Sequence, residues 1–121
     1  MKDYKKFLKE FMESWKNLVG GATCELFAEN VKYYENPIDE PIIGRENVVP
    51  LWSVVKENQK DITYKGSILF ENDKSCVYHF TMQRTMVKTG KVQIIDGIFE
   101  IKLNAKNKLT YFKQWRYTKE Q

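Results

Sequence analysis

The second half of the chain has the residue pattern of a β-sheet, and this pattern constrains the fold more than any other feature. From Asp61 onward, stretches rich in β-branched and aromatic residues are separated by short polar segments. Stretches of this kind, joined by turns of a few residues, are typical of antiparallel strands that follow one another in a meander. We predict strands at positions 62–70, 76–87, 92–103 and 109–118.

The first half begins with a helical pattern. Between positions 4 and 19, apolar side chains recur every three or four residues and form one stripe on a helix. We expect Gly20-Gly21 to end this helix, since glycine readily takes the left-handed conformation at a helix end. A short second helix should follow at 23–28, with Thr23 as its N-terminal cap.

A strand and a third helix complete the first half. Positions 31–35 are β-branched and aromatic and end just before Pro37, which is typical of a strand. The third helix is expected to open at Gly44. Its Pro50 fits a helix if it lies in the first turn, where a backbone N–H has no intrahelical partner.

The order of these elements predicts an α+β domain. Helices of the N-terminal half would cover one face of a curved antiparallel sheet and form a cone whose wide end can hold a ligand. A chain of 121 residues can build one core but not two, so we expect positions 1–121 to be a single domain. The later strands are apolar on both faces, and the face without helices therefore favours a homodimer.

The composition limits the partners of the protein. The net charge of +4 comes from scattered lysines without a run of five like charges, which argues against nucleic acid as a partner. No stretch is apolar enough to span a membrane, and the first ten residues lack the apolar core of a signal peptide. With only two cysteines, far apart, we predict a protein of the reducing cytoplasm.

No metal or cofactor is predicted. One histidine and two distant cysteines are too few ligands for a transition-metal site. The sequence also has no phosphate-binding loop, nucleotide fingerprint or nucleophile elbow.

Three segments carry a family resemblance. Positions 35–45 contain an acidic residue, Asn-Pro, Glu-Pro and Gly-Arg; positions 94–101 contain Ile-Ile-Asp; positions 108–115 end in an aromatic residue. In this order they resemble the nuclear-transport-factor-2-like superfamily, including its SnoaL-like and ketosteroid-isomerase-like branches. The resemblance implies a cone-shaped curved sheet with three helices on its concave face. In such relatives the first segment borders a small-molecule pocket.

The machinery of ketosteroid isomerases is mostly missing. In those relatives, the general base is an aspartate before the proline of the first segment, and this chain has Asn36 there. Their proton-donating tyrosine falls on Met12, and only the aspartate of the oxyanion hole has a match, in Asp96. A carboxamide takes up no proton near neutral pH, so we do not expect steroid isomerase activity of that type.

Asp96 and His79 are the catalytic candidates. A carboxylate with apolar neighbours in a central strand would have a raised pKa if it faced a pocket, which suits an acid, a base or a hydrogen-bond donor. The alternative is an outward Asp96, or one paired with Arg84 or Arg116. His79, the single histidine, would be the partner of Asp96 if both face the same way. The alternative for His79 is a structural hydrogen bond in the sheet.

Residues that combine an apolar body with a polar edge are the candidates for binding an apolar or aromatic small molecule. They are Trp15, Tyr33, Asn36, Trp52 and Trp115. The aromatic residues could equally be core, and Asn36 could bind a ligand carbonyl or shape the turn before Pro37.

Two main hypotheses about function remain open, and the sequence does not decide whether the protein is an enzyme. The first is a small-molecule-binding SnoaL-like domain, as a cofactor-independent lyase, isomerase or hydrolase that uses a pocket carboxylate. The alternative is a non-catalytic protein-interaction or accessory domain that uses its open sheet face. A third and weaker hypothesis, a nucleic-acid accessory protein, would require the lysines to gather on one face.

Overall fold

The computed structural model describes residues 2–121. The helices are α1 (Tyr4–Lys16), α2 (Gly20–Glu25), α3 (Arg45–Ser53) and α4 (Val55–Asn58). The strands are β1 (Phe27–Tyr34), β2 (Ile42–Ile43), β3 (Gln59–Glu71), β4 (Cys76–Met86), β5 (Val92–Leu103) and β6 (Leu109–Glu120). The predicted elements occur in the predicted order, and the structure adds the two-residue strand β2 before the third helix and the single turn α4 after it. The predicted α+β cone is thus confirmed.

The strands form one curved sheet in the order β2-β1-β6-β5-β4-β3. The strands from β3 to β6 pair antiparallel with their sequence neighbours, which is the predicted meander. The first strand, β1, pairs parallel with β6 and antiparallel with the short β2. Because β2 and β3 are at opposite edges and do not pair, the sheet stays open.

The core lies between the helices and one face of the sheet. Helix α1 begins after Asp3, whose side chain accepts a hydrogen bond from the backbone N–H of Lys6, and an aspartate in this position satisfies a backbone donor that lacks an intrahelical partner. The apolar stripe of α1 packs on the sheet, with the Phe11 ring 5.7 Å from the rings of both Phe99 and Phe112. Alternate residues of the central strands therefore point to the helices, and the residues between them point outward.

The glycine pair has a different role from the predicted one. Helix α1 already ends at Lys16, and Leu18 takes the left-handed conformation with φ 61°. Gly20 and Gly21 are the first residues of α2. A Cβ at Gly20 would lie 2.0 Å from the carbonyl oxygen of Trp52, so this glycine permits close contact between α2 and α3.

Two other local predictions need correction. Thr23 does not cap a helix; it lies inside α2, and its hydroxyl is 2.6 Å from the buried hydroxyl of Ser14. The second helix ends at Glu25, and position 28 already belongs to β1. Pro50 is the sixth residue of α3 rather than a first-turn residue. It is accommodated because α3 ends at Ser53, so the missing N–H weakens only one turn.

Cys24 and Cys76 are both buried free thiols. Within residues 2–121, no helix combines the length and apolar character that a membrane crossing requires.

Candidate functional site

A cavity of about 130 Å³ lies between the helices and the concave face of the sheet. Its aromatic wall includes side chains of α1, α3 and β6, and its polar wall is formed by Glu35, Arg84, Gln114 and Arg116. The cavity adjoins an outer groove of about 400 Å³, since Glu35, Gln114 and Arg116 line both. The site thus has an apolar side among the helices and a charged side toward the groove.

Two tryptophans define the aromatic wall. Their rings meet edge to face, with centroids 5.5 Å apart and an interplanar angle of 88°, which is a favourable geometry for aromatic pairs. The indole N–H of Trp15 donates to Oε1 of Gln59 at 3.0 Å. The indole nitrogen of Trp52 is buried and makes no hydrogen bond of regular geometry within residues 2–121. Its neighbouring acceptor is the Tyr33 hydroxyl, and this contact slightly opposes the rise in the pKa of Tyr33. The Trp52 N–H therefore has an incompletely satisfied position at the cavity wall.

Tyr33 lies beside these indoles. Its ring stacks on Phe112 with centroids 4.5 Å apart, and the side chain is only 3% exposed. Burial, and secondarily the negative charge of Glu35, raise the pKa of the Tyr33 phenol well above its usual range. The hydroxyl group consequently stays protonated near neutral pH and keeps a hydrogen to donate.

Arg84 is a buried cation on the polar wall. It is 6% exposed, and its Nε donates to Oε1 of Gln93 at 3.0 Å. Burial, and secondarily the positive charge of Arg116, lower the pKa of Arg84 to about 10, so the guanidinium remains charged at pH 7. The ion pairs found within residues 2–121 involve other residues. No carboxylate of this part of the chain is therefore paired with Arg84.

A short chain of polar contacts holds this arginine in place. Gln93 donates from Nε2 to Oε2 of Glu120 at 3.3 Å, and Oε1 of Glu120 pairs with Nζ of Lys91 at 3.3 Å. Because the amide oxygen of Gln93 accepts from Arg84 Nε, the two terminal nitrogens of Arg84 remain for other partners.

The candidate binding residues fall into three groups. Trp15, Tyr33 and Trp52 line the cavity. Asn36 lines the outer groove, but its amide is used by the turn: the oxygen accepts from two backbone N–H groups, and the nitrogen donates to Asp39. Trp115 does not reach the cavity; it is 39% exposed on the opposite face of the sheet. Its neighbour Gln114 takes the inward position instead, as the alternation along β6 requires.

His79 and Asp96 do come together, with Nε2 and Oδ1 3.0 Å apart. They project from the neighbouring strands β4 and β5 on the outer face, and their side chains are 37% and 64% exposed. Asp96 is therefore not in an apolar pocket, contrary to the expectation that motivated its catalytic role. The inward positions of β5 belong to Ile95, Gly97 and Phe99.

The outer face around this pair is partly apolar. The exposed fractions are 37% for Ile94, 39% for Trp115 and 73% for Tyr117. Nζ of Lys113 lies 5.3 Å from the centroid of the Trp115 ring, which is a cation–π contact. No helix of the described chain packs on this face.

Arg84 and Gln114 were not among the sequence candidates, although the alternation contains a signal for both. Arg84 continues the row of inward residues Tyr78, Phe80 and Met82. Gln114 follows the inward Phe112 by two positions. A polar residue that continues a buried row is informative, because burial without a partner is costly. Residues 2–121 contain no group of three or more His, Cys, Asp or Glu side chains that could hold a metal ion.

Several solved structures are similar to this one. The epoxide hydrolase/cyclase-like enzyme SalBIII, described in pyran ring formation in the polyether salinomycin, has a TM-score of 0.80 at 14% identity, over 93% of this chain and 89% of that chain. A candidate isomerase from Bacillus subtilis has the same TM-score and identity, over 93% of this chain and 84% of its own. An NTF2-like protein from Burkholderia xenovorans LB400 has a TM-score of 0.70 at 15% identity, over 93% of this chain and 87% of its own.

These similarities establish the fold. No protein-family model matches the sequence, and no curated protein matches it. The chain has the nuclear-transport-factor-2-like fold, and the resemblance carried by the three sequence segments is confirmed at that level. Since one fold hosts many functions, the function has to be argued from the cavity itself.

Proposed function

We propose that the protein binds a small molecule in the cavity between its helices and its sheet. One observation carries the proposal: the cavity wall holds the buried cation Arg84 without a carboxylate partner from the described chain. Buried polar groups that serve stability alone are satisfied by protein partners. A group left open toward a cavity is instead available to a ligand, and polar groups that converge beside aromatic side chains in one cavity are typical of ligand sites.

The proposal extends to chemistry through Glu35. The similar structures include an epoxide hydrolase/cyclase-like enzyme and a candidate isomerase, which favours a cofactor-independent lyase, isomerase or hydrolase. Glu35 supplies the carboxylate that lines both the cavity and the groove. A proton transfer in this cavity would use Glu35, because the outward Asp96 lies across the sheet from it.

A matched pair of variants tests the binding proposal. Leu51→Phe places extra volume in the cavity lining, whereas Val54→Phe adds a similar ring at a 39% exposed position of the neighbouring turn. We expect a thermal-shift screen of small aromatic and short-chain compounds to give stabilising ligands for the wild type and for Val54→Phe. These ligands should lose most of their effect on Leu51→Phe.

The stabilisation expected from a bound ligand is large enough to detect in this screen. A ligand at about 100 times its dissociation constant stabilises the native state by about 2.7 kcal/mol. Ligands whose effect survives Leu51→Phe bind elsewhere, and that result would contradict the proposal, as would a complete absence of ligands for the wild type.

We also propose, as the alternative function, that the outer face of the sheet is a protein interface and that the partner is a second copy of the chain. The exposed aromatic residues Trp115 and Tyr117 favour this. Analytical ultracentrifugation should then detect a dimer that Trp115→Lys converts to a monomer, while Lys119→Ala leaves it intact. A wild type that stays monomeric at high micromolar concentration would refute the interface. The buried free thiols of Cys24 and Cys76 fit the cytoplasm as the proposed location.

A further inference from the structure

We infer that the ligand of the cavity is a small organic carboxylate and that its anionic group binds the guanidinium of Arg84. This inference rests on the proposed function and adds the chemical class of the ligand. Arginine binds carboxylates through two parallel N–H···O bonds, and this geometry requires two free donors on one edge of the guanidinium.

The contacts of Arg84 leave such donors free. The Nε atom is used by Gln93, which is fixed in turn by Glu120. The side chain is more than nine-tenths buried and borders the cavity. The arginine is thus held by its Nε, and its terminal nitrogens make no hydrogen bond within residues 2–121.

The cavity wall contains a buried group of donors without a partner. The terminal N–H groups of Arg84 make no hydrogen bond within residues 2–121, since Arg84 donates through Nε to Gln93. Of the acceptors on the wall, Oε1 of Gln59 already receives the N–H of Trp15, and Glu35 and Gln114 line both the cavity and the outer groove. A ligand that satisfies Arg84 has to bring acceptors, and an ionised carboxylate offers acceptors only.

The charge of the wall selects a monoanion. Arg84 and Arg116 contribute two positive charges, and Glu35 contributes one negative charge. The remaining charge of +1 is neutralised by one carboxylate. A phosphate monoester, which carries between one and two negative charges near neutral pH, would leave excess negative charge next to Glu35.

The volume limits the rest of the ligand. The cavity of about 130 Å³ is close to the size of an engineered apolar cavity, about 150 Å³, that binds benzene. The indoles of Trp15 and Trp52 supply aromatic faces and edges against which a ring can pack. Benzoate is accordingly the simplest probe that combines the predicted ring and the predicted anion.

Isothermal titration calorimetry at pH 7 with benzoate, benzamide and phenyl phosphate tests the inference. We expect benzoate to bind at least tenfold more tightly than either of the other two. Arg84→Met should abolish that preference, whereas Arg45→Met, which removes the same group from an exposed position of α3, should change benzoate affinity less than twofold.

The possible outcomes distinguish a failure of this inference from a failure of the proposed function. Benzamide that binds as well as benzoate leaves a ligand-binding cavity but overturns the carboxylate, and tighter phenyl phosphate overturns it in favour of a phosphoryl ligand. If none of the three probes binds, while other compounds stabilise the wild type but not Leu51→Phe, the inference fails and the proposed function stands. If no compound binds at all, both fail.

The wild-type protein provides a second measurement that does not depend on the folding of Arg84→Met. A crystal structure with benzoate should place a carboxylate oxygen within hydrogen-bond distance of the terminal nitrogens of Arg84. Benzoate found only in the outer groove or on the outer face of the sheet would overturn the inference.

Discussion

Replacing Arg84 with methionine should make the free protein more stable. The change keeps an unbranched side chain of similar length but removes a charge that is 6% exposed and has no carboxylate partner in the described chain. Replacing buried charged groups by apolar residues of similar volume is often neutral or stabilising. The size of the effect follows from the lowered pKa of Arg84.

Burial, and secondarily the positive charge of Arg116, lower the pKa of Arg84 from its usual range to about 10. At about 1.4 kcal/mol per pKa unit, the charged form costs the folded state about 3 kcal/mol. Because folding lowers the pKa of this base, the full free-energy cost of the buried charge is present at every pH below about 10. This cost disappears only as the pH rises above about 10 toward the usual pKa of an arginine, so at pH 7 it is complete and independent of pH.

Part of this gain is lost again. Arg84→Met leaves Oε1 of Gln93 without its donor, which costs about 1–2 kcal/mol, toward the lower end because Gln93 is only partly buried. We therefore expect a net stabilisation of about 1–2 kcal/mol. In a domain of this size, about 2.1 cal/mol/K of unfolding entropy per residue converts it to a rise in Tm of about 4–8 °C.

Differential scanning calorimetry and urea denaturation at pH 7 measure this effect. Arg45→Met is the control, since an exposed arginine without an ion pair in residues 2–121 should change the free energy of unfolding by less than about 0.5 kcal/mol. A destabilisation of Arg84→Met by more than about 1 kcal/mol would refute the reasoning. It would mean that the contacts of Arg84 with Gln93 outweigh its burial.

Two further predictions concern the scaffold and the outer face. Gly20→Ala should lower the free energy of unfolding by about 2 kcal/mol or more in urea denaturation, because its Cβ would meet the Trp52 carbonyl oxygen at 2.0 Å. Gly21→Ala is the control and should be neutral or stabilising, since its Cβ meets nothing within 4 Å. Equal effects of the two substitutions would contradict the proposed contact. Asp96→Asn should change stability by less than about 0.5 kcal/mol, since its pair with His79 is exposed, and should leave benzoate affinity within twofold in calorimetry. A tenfold loss of affinity would return Asp96 to the binding machinery.

The fold followed from the sequence because local signals agreed with one another. The apolar stripe of α1 runs the length of the helix and β4 alternates along most of its length, so the periods of these two elements are clear. For β5 and β6, β-branched and aromatic residues between short polar turns indicated strands. Local signals were insufficient where a contact with a distant segment determines the role of a residue. Gly20 looks like a helix stop until α3 is placed beside it, with the carbonyl of Trp52 at the position of a Cβ.

The orientation of the Asp96 side chain shows that local sequence signals have the same limit within a strand. It has apolar neighbours in both phases of the alternation, with Ile94 and Ile98 in one phase and Ile95 and Phe99 in the other. The sequence of β5 alone therefore does not determine which phase faces the helices. Packing does: a Cβ at Gly97 would lie 2.7 Å from the ring of Phe80, so the inward phase is the one that contains Gly97. Asp96 is then outward, next to His79.

The separation of the two faces bears directly on function. The outer face holds the ionisable pair that the sequence suggested, but both side chains are exposed and nothing there excludes water. The cavity is lined in part by buried side chains, and it holds a group that reduces the stability of the free protein, the buried cation Arg84. A domain that only had to fold would be more stable with an apolar side chain there. A ligand that supplies acceptors and one negative charge offsets this cost, and this is the physical reason to look for the function at Arg84 rather than at Asp96.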